Sequence, residues 1–217
     1  MRVTKIEYQK KDPNRVNLYI DEQFFCGISL DTLASENLYE GLDIEQEVID
    51  RILERDLKSR FLMRVTEYLS RSPKTEFQVF KYLKELKYKK RGSWFKEDVD
   101  IDWEKLFNEI VNKLKEYKYI DDREFAKSFV SSRLRNKPRG KSVLISELIS
   151  KGVSKDIAQE VCNENITDEL DLIRKTFEKK YKNQTFDINN QKMIAYLFRK
   201  GFRWDLIEQF SQYEPEE

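Results

Sequence analysis

Six basic side chains fall within fifteen consecutive residues, and no acidic residue lies among them. They are Lys127, Arg133, Arg135, Lys137, Arg139 and Lys141. Ammonium and guanidinium groups so close together bind anions, and arginine in particular pairs with carboxylate or phosphate through two parallel hydrogen bonds. The segment from residue 127 to residue 141 therefore predicts a surface for an acidic protein or for the phosphates of a nucleic acid.

A helix break inside this segment strengthens that prediction. Pro138 suits the first position of a helix, and Arg139 and Lys141 would then lie in the first turn, where free amides favour a phosphate or carboxylate. Arg133 and Lys137 are four residues apart, so they share a face if the preceding helix extends that far. A plainer interpretation stays open: a solvated helix face with ion pairs to neighbouring acids. Those acids would be Asp121, Asp122 or Glu124.

The chain lacks several residue types and motifs that common catalytic and metal sites require. There is no histidine among the 217 residues, which excludes histidine bases, histidine-activated nucleophiles and histidine metal ligands. Cys26 and Cys162 form no CxxC pattern, so neither a zinc site nor a disulfide framework is expected. The six glycines are scattered singly and form no phosphate-binding loop. We expect a protein that is not an enzyme and has no cofactor, metal or small-molecule substrate.

One acidic run invites a metal hypothesis. Asp98, Asp100, Asp102 and Glu109 fall at positions 1, 3, 5 and 12 of a calcium-binding loop. However, position 6, which needs glycine for its sharp turn, is Trp103. The simpler prediction is that Asp102 caps a helix that begins at this point.

The elements that would carry the basic segment are mostly helical. The first thirty residues predict a small β-hairpin or meander, because apolar and polar residues alternate around Val3–Tyr8 and Val16–Ile20, and Phe24–Ile28 could add a third strand. Ser29–Asn37 and Ile44–Asp56 are predicted helices. They carry an acidic region, from Asp31 to Asp50, that has seven acidic residues and no lysine or arginine.

The chain also contains an internal repeat. Ile145–Val161 matches Ile194–Phe210, 49 residues later, and keeps Leu148/Leu197 and Gly152/Gly201 in register. The match further pairs Ile145/Ile194, Lys151/Lys200, Val153/Phe202, Asp156/Asp205, Ile157/Leu206 and Val161/Phe210. Both glycines follow an apolar helical stripe, where a left-handed residue ends a helix. A repeat of this length predicts stacked helical modules, which are mostly binding surfaces.

The predicted fold is mainly α: tandem three-helix repeat modules in an elongated or curved array, with a small N-terminal β-hairpin or meander. We divide it into residues 1–55 (hairpin and acidic helices), 56–117 (module 1, with an insertion at 89–101), 118–164 (module 2, basic) and 165–217 (module 3 and an acidic tail). Trp94 and Phe95 in the insertion could stack on a base, but packing within their own module is favoured. Trp103 and Trp204 are expected in the core.

One spaced motif resembles the RecX family of bacterial recombinase regulators. It begins with Tyr119-Ile120-Asp121-Asp122 and Phe125-Ala126. It continues through Arg133, Lys137-Pro138-Arg139-Gly140, Glu147-Leu148 and Lys151-Gly152. The resemblance is strongest over residues 119–152 and extends to the three-module layout and the N-terminal hairpin.

The resemblance implies a protein that binds RecA and the RecA–single-stranded DNA filament, inhibits recombinase, ATPase and coprotease activities, and so modulates DNA repair and the SOS response. The six basic residues are then the contact candidates, and the structural positions are Tyr119, Asp121, Asp122, Phe125, Pro138, Gly140, Leu148, Gly152 and Gly201. A cytoplasmic, bacterial protein is expected, since no apolar run nears the ~18 residues of a membrane span. The alternative is a protein that binds DNA or RNA directly through the basic module, although a net charge of +1 is low for a dedicated DNA binder.

Overall fold

The computed structural model describes residues 1–94, 101–182 and 184–212. The chain divides into two compact units. The first consists of Met1–Ser72 and Phe80–Leu114, and the second consists of Pro73–Val79 and the chain from Lys115 onward. The calcium-loop candidates Asp98 and Asp100 lie outside the described residues, as does Phe95.

The first unit begins with an antiparallel sheet of three strands. These are β1 (Val3–Tyr8), β2 (Arg15–Ile20) and β3 (Gln23–Ser29), with β2 in the middle. Alternate residues of β2 are buried, because successive side chains of a strand point to opposite faces. One face of the sheet packs on Ile49 and Ile52 of the following long helix. The predicted meander is confirmed.

Two helices complete the predicted N-terminal region, and the second is longer than expected. Helix α1 spans Leu30–Ser35 and is capped by Ser29, whose hydroxyl accepts from the Thr32 amide. Helix α2 spans Gln46–Ser70, so the boundary proposed between residues 55 and 56 lies inside it. The division into four domains stays a proposal, and its first boundary needs another position.

Asp56 lies six residues beyond the acidic region and, unlike most acidic residues, it is buried. It is only 5% exposed, and its carboxylate accepts from Arg15 at 2.9 Å and from Arg60 at 2.6 Å. Both guanidinium groups also donate to the carbonyl oxygen of Gly27 in β3. This buried ion cluster joins α2 to the sheet.

Helices α3 (Glu76–Lys90) and α4 (Trp103–Glu116) follow. Within the first unit, Phe61 of α2 makes edge contacts with Trp94, Trp103 and Phe107 at ring-centroid distances of 5.5–5.9 Å. Trp94 therefore packs within its own module, as predicted. Asp102 accepts from the Lys105 amide at 2.9 Å, which confirms it as the helix cap.

The described part of the second unit contains six further helices in two groups of three. Helices α5 (Asp122–Asn136), α6 (Lys141–Ser150) and α7 (Lys155–Asn165) form module 2. Helices α8 (Glu169–Tyr181), α9 (Gln191–Lys200) and α10 (Trp204–Ser211) form module 3. One hydrophobic core runs through both modules, since a single module has too few apolar residues to be stable alone.

The internal repeat is a structural repeat. Leu148 and Leu197 are both fully buried, and Gly152 and Gly201 have φ angles of 95° and 91°, the left-handed region in which glycine has no steric penalty. The expectation for Trp204 is wrong: it is 46% exposed and lies parallel to the exposed ring of Phe198 at 6.1 Å. Trp204 lies next to an apolar stripe in the sequence, but as the first residue of α10 its side chain faces solvent.

Candidate interaction surface

The start of α5 is fixed by a side-chain cap. The Asp121 carboxylate accepts from the amides of Arg123 and Glu124 at 2.9 and 3.0 Å. Ile120 on one side of the cap is buried, and Phe125 on the other side packs against the core, so the two residues form a hydrophobic staple across the cap. This cap therefore sets the start of the helix that carries Lys127, Arg133 and Arg135.

Module 2 docks on the start of α3 through its glycine turn. Thr75 Oγ1 donates to the Lys151 carbonyl oxygen at 2.6 Å, and the Glu76 amide donates to Asp122 at 2.9 Å. A Cβ on Gly152 would lie only 2.1 Å from Cβ of Phe77, so no larger residue fits. Burial, the largest influence, raises the pKa of the Asp122 carboxyl.

Module 3 docks on the start of α6 in the equivalent way. The Gly140 amide donates to the Lys200 carbonyl oxygen at 2.8 Å, and Ser142 Oγ donates to the Gly201 carbonyl oxygen at 2.7 Å. A Cβ on Gly140 would lie 2.3 Å from the oxygen of Gly201. Each Lys-Gly turn thus contacts the first turn of the second helix in the preceding module.

This docking corrects the prediction for Pro138. Helix α6 begins at Lys141 with Gly140 as its N-cap, so Pro138 lies two residues before the cap and not at the first helical position. Arg139 therefore lies outside the helix, and only Lys141 is in the first turn. The physical reason is that the Gly140 amide is committed to Lys200 and holds residues 137–140 in a non-helical connection.

Arg133 and Arg139 come together on a shared carboxylate. Arg133 Nε donates to Glu147 at 2.9 Å, and an Arg139 Nη lies 3.4 Å from the other oxygen of the same group. The Arg133 guanidinium also lies 4.9 Å from the ring centroid of Phe129. Ion pairing was expected as the plainer interpretation, but with Asp121, Asp122 or Glu124 rather than Glu147.

The other four basic residues differ in their surroundings. Lys127 pairs with Glu124 at 2.8 Å, one of the acids expected. Across residues 1–94, 101–182 and 184–212, no acidic group lies within ion-pair distance of Arg135, Lys137 or Lys141. Lys137 ends α5 as its C-cap, so it does not share a continuous helix face with Arg133. Exposed and unneutralised, Arg135 and Lys137 are the strongest candidates of the original set for binding an external anion.

The predicted structural positions divide into inner and outer residues. Leu148 is fully buried, Pro138 and Gly140 are buried, and Gly152 and Gly201 hold the docking turns described above. Tyr119, in contrast, is 59% exposed, so packing gives no support to a fold role for it.

Sequence reasoning missed three lysines of module 3 that lie beside the basic segment. Lys179 Nζ donates to the Asn136 carbonyl oxygen at 2.6 Å, at the end of α5. Lys180 and Lys200 lie 4.3 and 5.3 Å from the ring centroid of Tyr196. Burial lowers the pKa of Lys200, and so does repulsion from Arg139, Lys179, Lys180 and Lys137. The only available signal was the run Lys179-Lys180, which resembles any solvated helix end.

The arrangement of basic side chains suits the binding of an anion. In the described part of the chain, no group of three or more Cys, Asp or Glu side chains could hold a metal ion. The described helices also include none that is long and apolar enough to cross a membrane.

Comparisons with known proteins agree with this architecture. Residues 1–45 match the family model of the regulatory protein RecX N-terminal domain, residues 121–161 match the RecX second three-helix domain, and residues 167–210 match the third. A regulatory protein RecX of Bacillus velezensis is 30% identical over 94% of this chain and 74% of the relative. One of Bacillus pumilus is 29% identical over 97% and 76%.

A solved structure described as the crystal structure of regulatory protein RecX has the same fold. It superposes with a TM-score of 0.72 over 98% of this chain and 99% of its own, at 24% identity. The sequence matches extend from the N-terminal sheet through module 3, which is the part of the chain that the fold comparison also covers. This chain belongs to the RecX family of regulatory proteins.

Proposed function

We propose that this chain is a non-enzymatic regulator that binds RecA and the RecA–single-stranded DNA filament and inhibits the ATPase, recombinase and coprotease activities of RecA. The observation that carries the proposal is membership of the RecX family over nearly the whole chain. Through RecA, such a protein would modulate DNA repair and the SOS response.

The tandem modules support a role in binding an extended partner. Modules 2 and 3 both carry exposed polar and charged side chains, and the docked Lys200-Gly201 turn joins these two modules. A polar surface that spans several modules can bind a long helical assembly without a deep pocket. Arg135 and Lys137, which have no acidic partner in the described part of the chain, are the proposed principal contacts.

RecA ATPase activity on single-stranded DNA, titrated with this protein, tests the proposal. We expect inhibition at well below one molecule per RecA. The informative variant is Arg135→Glu/Lys137→Glu, because replacing Arg133 or Arg139 with glutamate would place a second carboxylate beside that of Glu147 and destabilise the module. Inhibition should be lost in this double variant.

A matched control makes the same charge change elsewhere. Lys84→Glu/Lys113→Glu alters two exposed lysines of the first unit and should leave inhibition intact. Circular dichroism and melting should be unchanged in both double variants. Full inhibition by Arg135→Glu/Lys137→Glu would remove these residues from the contact, and the absence of any effect of the wild-type protein on RecA would refute the proposed function.

A further inference from the structure

We propose that the first unit binds a small amphipathic carboxylate, a molecule with one carboxylate and an apolar body, in a groove between β3 and α2. The groove has a volume of about 960 Å³ and is lined by residues of the sheet, of α2 and of the turn that follows α3. Sites for small organic ligands commonly enclose about 300–1,000 Å³. This site goes beyond the proposed function, because it requires neither RecA nor the second unit.

Apolar side chains form a large part of the lining. They come from the sheet, from α2 and from the turn after α3, and they include Ile20, Phe24, Phe25, Leu53, Leu57 and Trp94. Phe24 is exposed, and Phe25, Leu53 and Trp94 are half-buried, so the groove leaves apolar surface in contact with water. An apolar ligand that covers this surface releases that water, which favours binding.

Two arginines supply positively charged groups to the same groove. The side chains of Arg15 and Arg60 are only 17% and 18% exposed, and both are held by the Asp56 carboxylate and the Gly27 carbonyl oxygen. Two guanidinium groups share one carboxylate, so the pair keeps one positive charge that Asp56 does not compensate. The Arg60 guanidinium also lies 5.8 Å from the ring centroid of Trp94, so this charge adjoins the apolar lining.

Both arginines retain N–H groups that a ligand can use. In the described part of the chain, Nε and Nη1 of Arg15 and Nη1 of Arg60 have no hydrogen-bond partner. None of these three atoms is shielded from solvent. Guanidinium groups form charge-assisted hydrogen bonds with a carboxylate. Because Asp56 already fixes both guanidinium groups, a carboxylate that pairs with them costs little side-chain entropy.

The charges in and around the groove favour a single anion over a polyanion or a cation. One uncompensated charge gives little affinity for a polyanion, whose binding grows with each cationic contact. The seven acidic residues from Asp31 to Asp50 belong to the same unit and would repel a polyanion. Among the described lining residues, the acidic one is Asp21, which is exposed and already accepts from the Arg2 amide, so it offers little to a cation.

Fluorescence titration of the full chain with 11-(dansylamino)undecanoate, whose emission rises in apolar surroundings, tests the site without RecA. The methyl ester of the same probe has the same apolar body but carries no carboxylate. Because hydrogen bonds to a charged group strengthen binding by about ten- to a hundredfold, we expect the acid to bind more tightly than the ester by that factor. Unlabelled dodecanoate should displace the probe, and decanoate, which is two methylenes shorter, should do so about 15-fold less well.

Variants at an exposed position locate the site. Phe24→Glu puts a negative charge into the lining and should weaken binding of the acid by about fivefold or more, the effect of one like charge at about 4 Å in water. Phe24→Leu keeps an apolar side chain there and should retain most of the wild-type affinity. Tyr39→Glu places the same charge on another exposed aromatic residue of the first unit, outside the groove, and should not weaken binding. Thermal unfolding checks that all three variants are folded.

Four results would each overturn the proposal. The first is a wild-type protein that gives no saturable change in probe emission, and the second is an ester that binds as tightly as the acid. The third is a folded Phe24→Glu variant with wild-type affinity. The fourth is displacement of the probe by N-acetyl-trileucine as effectively as by dodecanoate, since the groove would then be a site for peptides. None of these results depends on whether RecA is inhibited, so failure of this site is distinguishable from failure of the proposed function.

Discussion

The Gly140 amide donates a 2.8 Å hydrogen bond to the Lys200 carbonyl oxygen, and this contact fixes module 3 to the start of α6. The two residues are sixty positions apart. The bond also places the last basic residue of α9 beside the basic connection that precedes α6. One contact therefore determines both how the modules stack and which cations become neighbours.

Replacing Gly140 with alanine should disrupt this stacking. The φ angle of Gly140 is −64°, which alanine adopts freely, so the cost comes from its Cβ, 2.3 Å from backbone oxygen of Gly201. We expect the free energy of unfolding to fall by about 1–3 kcal/mol in urea titrations, as for other overpacked sites. Gly27→Ala, where the new Cβ meets only the flexible end of Gln9, should cost less. Equal losses of unfolding free energy in Gly140→Ala and Gly27→Ala would contradict the importance of the Gly140–Gly201 contact.

Gly152 combines a backbone constraint with a packing constraint. Its φ is 95°, and alanine there costs about 1–2 kcal/mol from the left-handed conformation, with a further contribution from the clash with Phe77. Gly92 has a φ of 74°, and no atom of the described residues lies within 4 Å of a Cβ placed on it, so Gly92→Ala measures mainly the backbone cost. Urea unfolding should show Gly152→Ala to be clearly the more destabilising change. If the two variants lose equal free energy of unfolding, the contact with Phe77 does not restrict residue 152.

The buried carboxylate of Asp56 should be essential to the first unit. Asp56→Ala leaves Arg15 and Arg60 in a half-buried site without their counter-charge, which typically costs about 3–5 kcal/mol of stability. Glu67 also bridges two arginines, Arg64 and Arg71, but on the surface, so Glu67→Ala should have a much smaller effect. The melting temperatures of the two variants test this prediction. A similar decrease in melting temperature for both would show that burial is not what makes Asp56 important for stability.

Glu147 should mask part of the positive surface. Glu147→Gln frees Arg133 and Arg139 from their shared partner, so the protein should elute from a heparin column at higher salt than the wild type. Glu104→Gln makes the same charge change in the first unit, without a paired arginine in the described part of the chain. Equal shifts for the two variants would mean that net charge, and not the release of the arginines, controls binding.

The two thiols should be unreactive in the folded protein. Burial raises the pKa of Cys26 to about 12 and of Cys162 to about 11, so neither forms thiolate at pH 8. Reaction with a thiol-specific disulfide reagent should be slow in buffer and fast in urea. Rapid reaction of the native protein would contradict the burial of these groups.

The same shift makes stability depend on alkaline pH. Above pH 9 the unfolded chain loses thiol protons that the folded chain keeps, so the unfolded state binds fewer protons and the free energy of unfolding falls as pH rises. Urea titrations at pH 8 and pH 10 should show a smaller fall for Cys162→Ala than for the wild type. The pH dependence is compared rather than absolute stability, because the substitution also leaves a cavity.

Local sequence patterns predicted most of the elements and several of their ends. Alternating apolar residues predicted the meander, Asp102 predicted a helix start, and the aligned glycines predicted left-handed helix ends, since each of these depends on residues a few positions apart. The internal repeat gave the modular architecture for the same reason. The spaced motif also gave the family, which the matches over residues 121–161 and 167–210 support.

Long-range contacts decided what the surface can bind. No periodicity shows that Glu147 neutralises both Arg133 and Arg139, that Asp56 is buried between two arginines, or that α6 starts after Pro138. Nor does it show that Lys179 and Lys200 join the basic segment, because they are brought there by hydrogen bonds to Asn136 and Gly140. The sequence by itself determined the helices, the modules and the sign of the charge. Only the tertiary structure decided which charges are neutralised and which remain together, because the field at a side chain depends on neighbours in space, not in sequence.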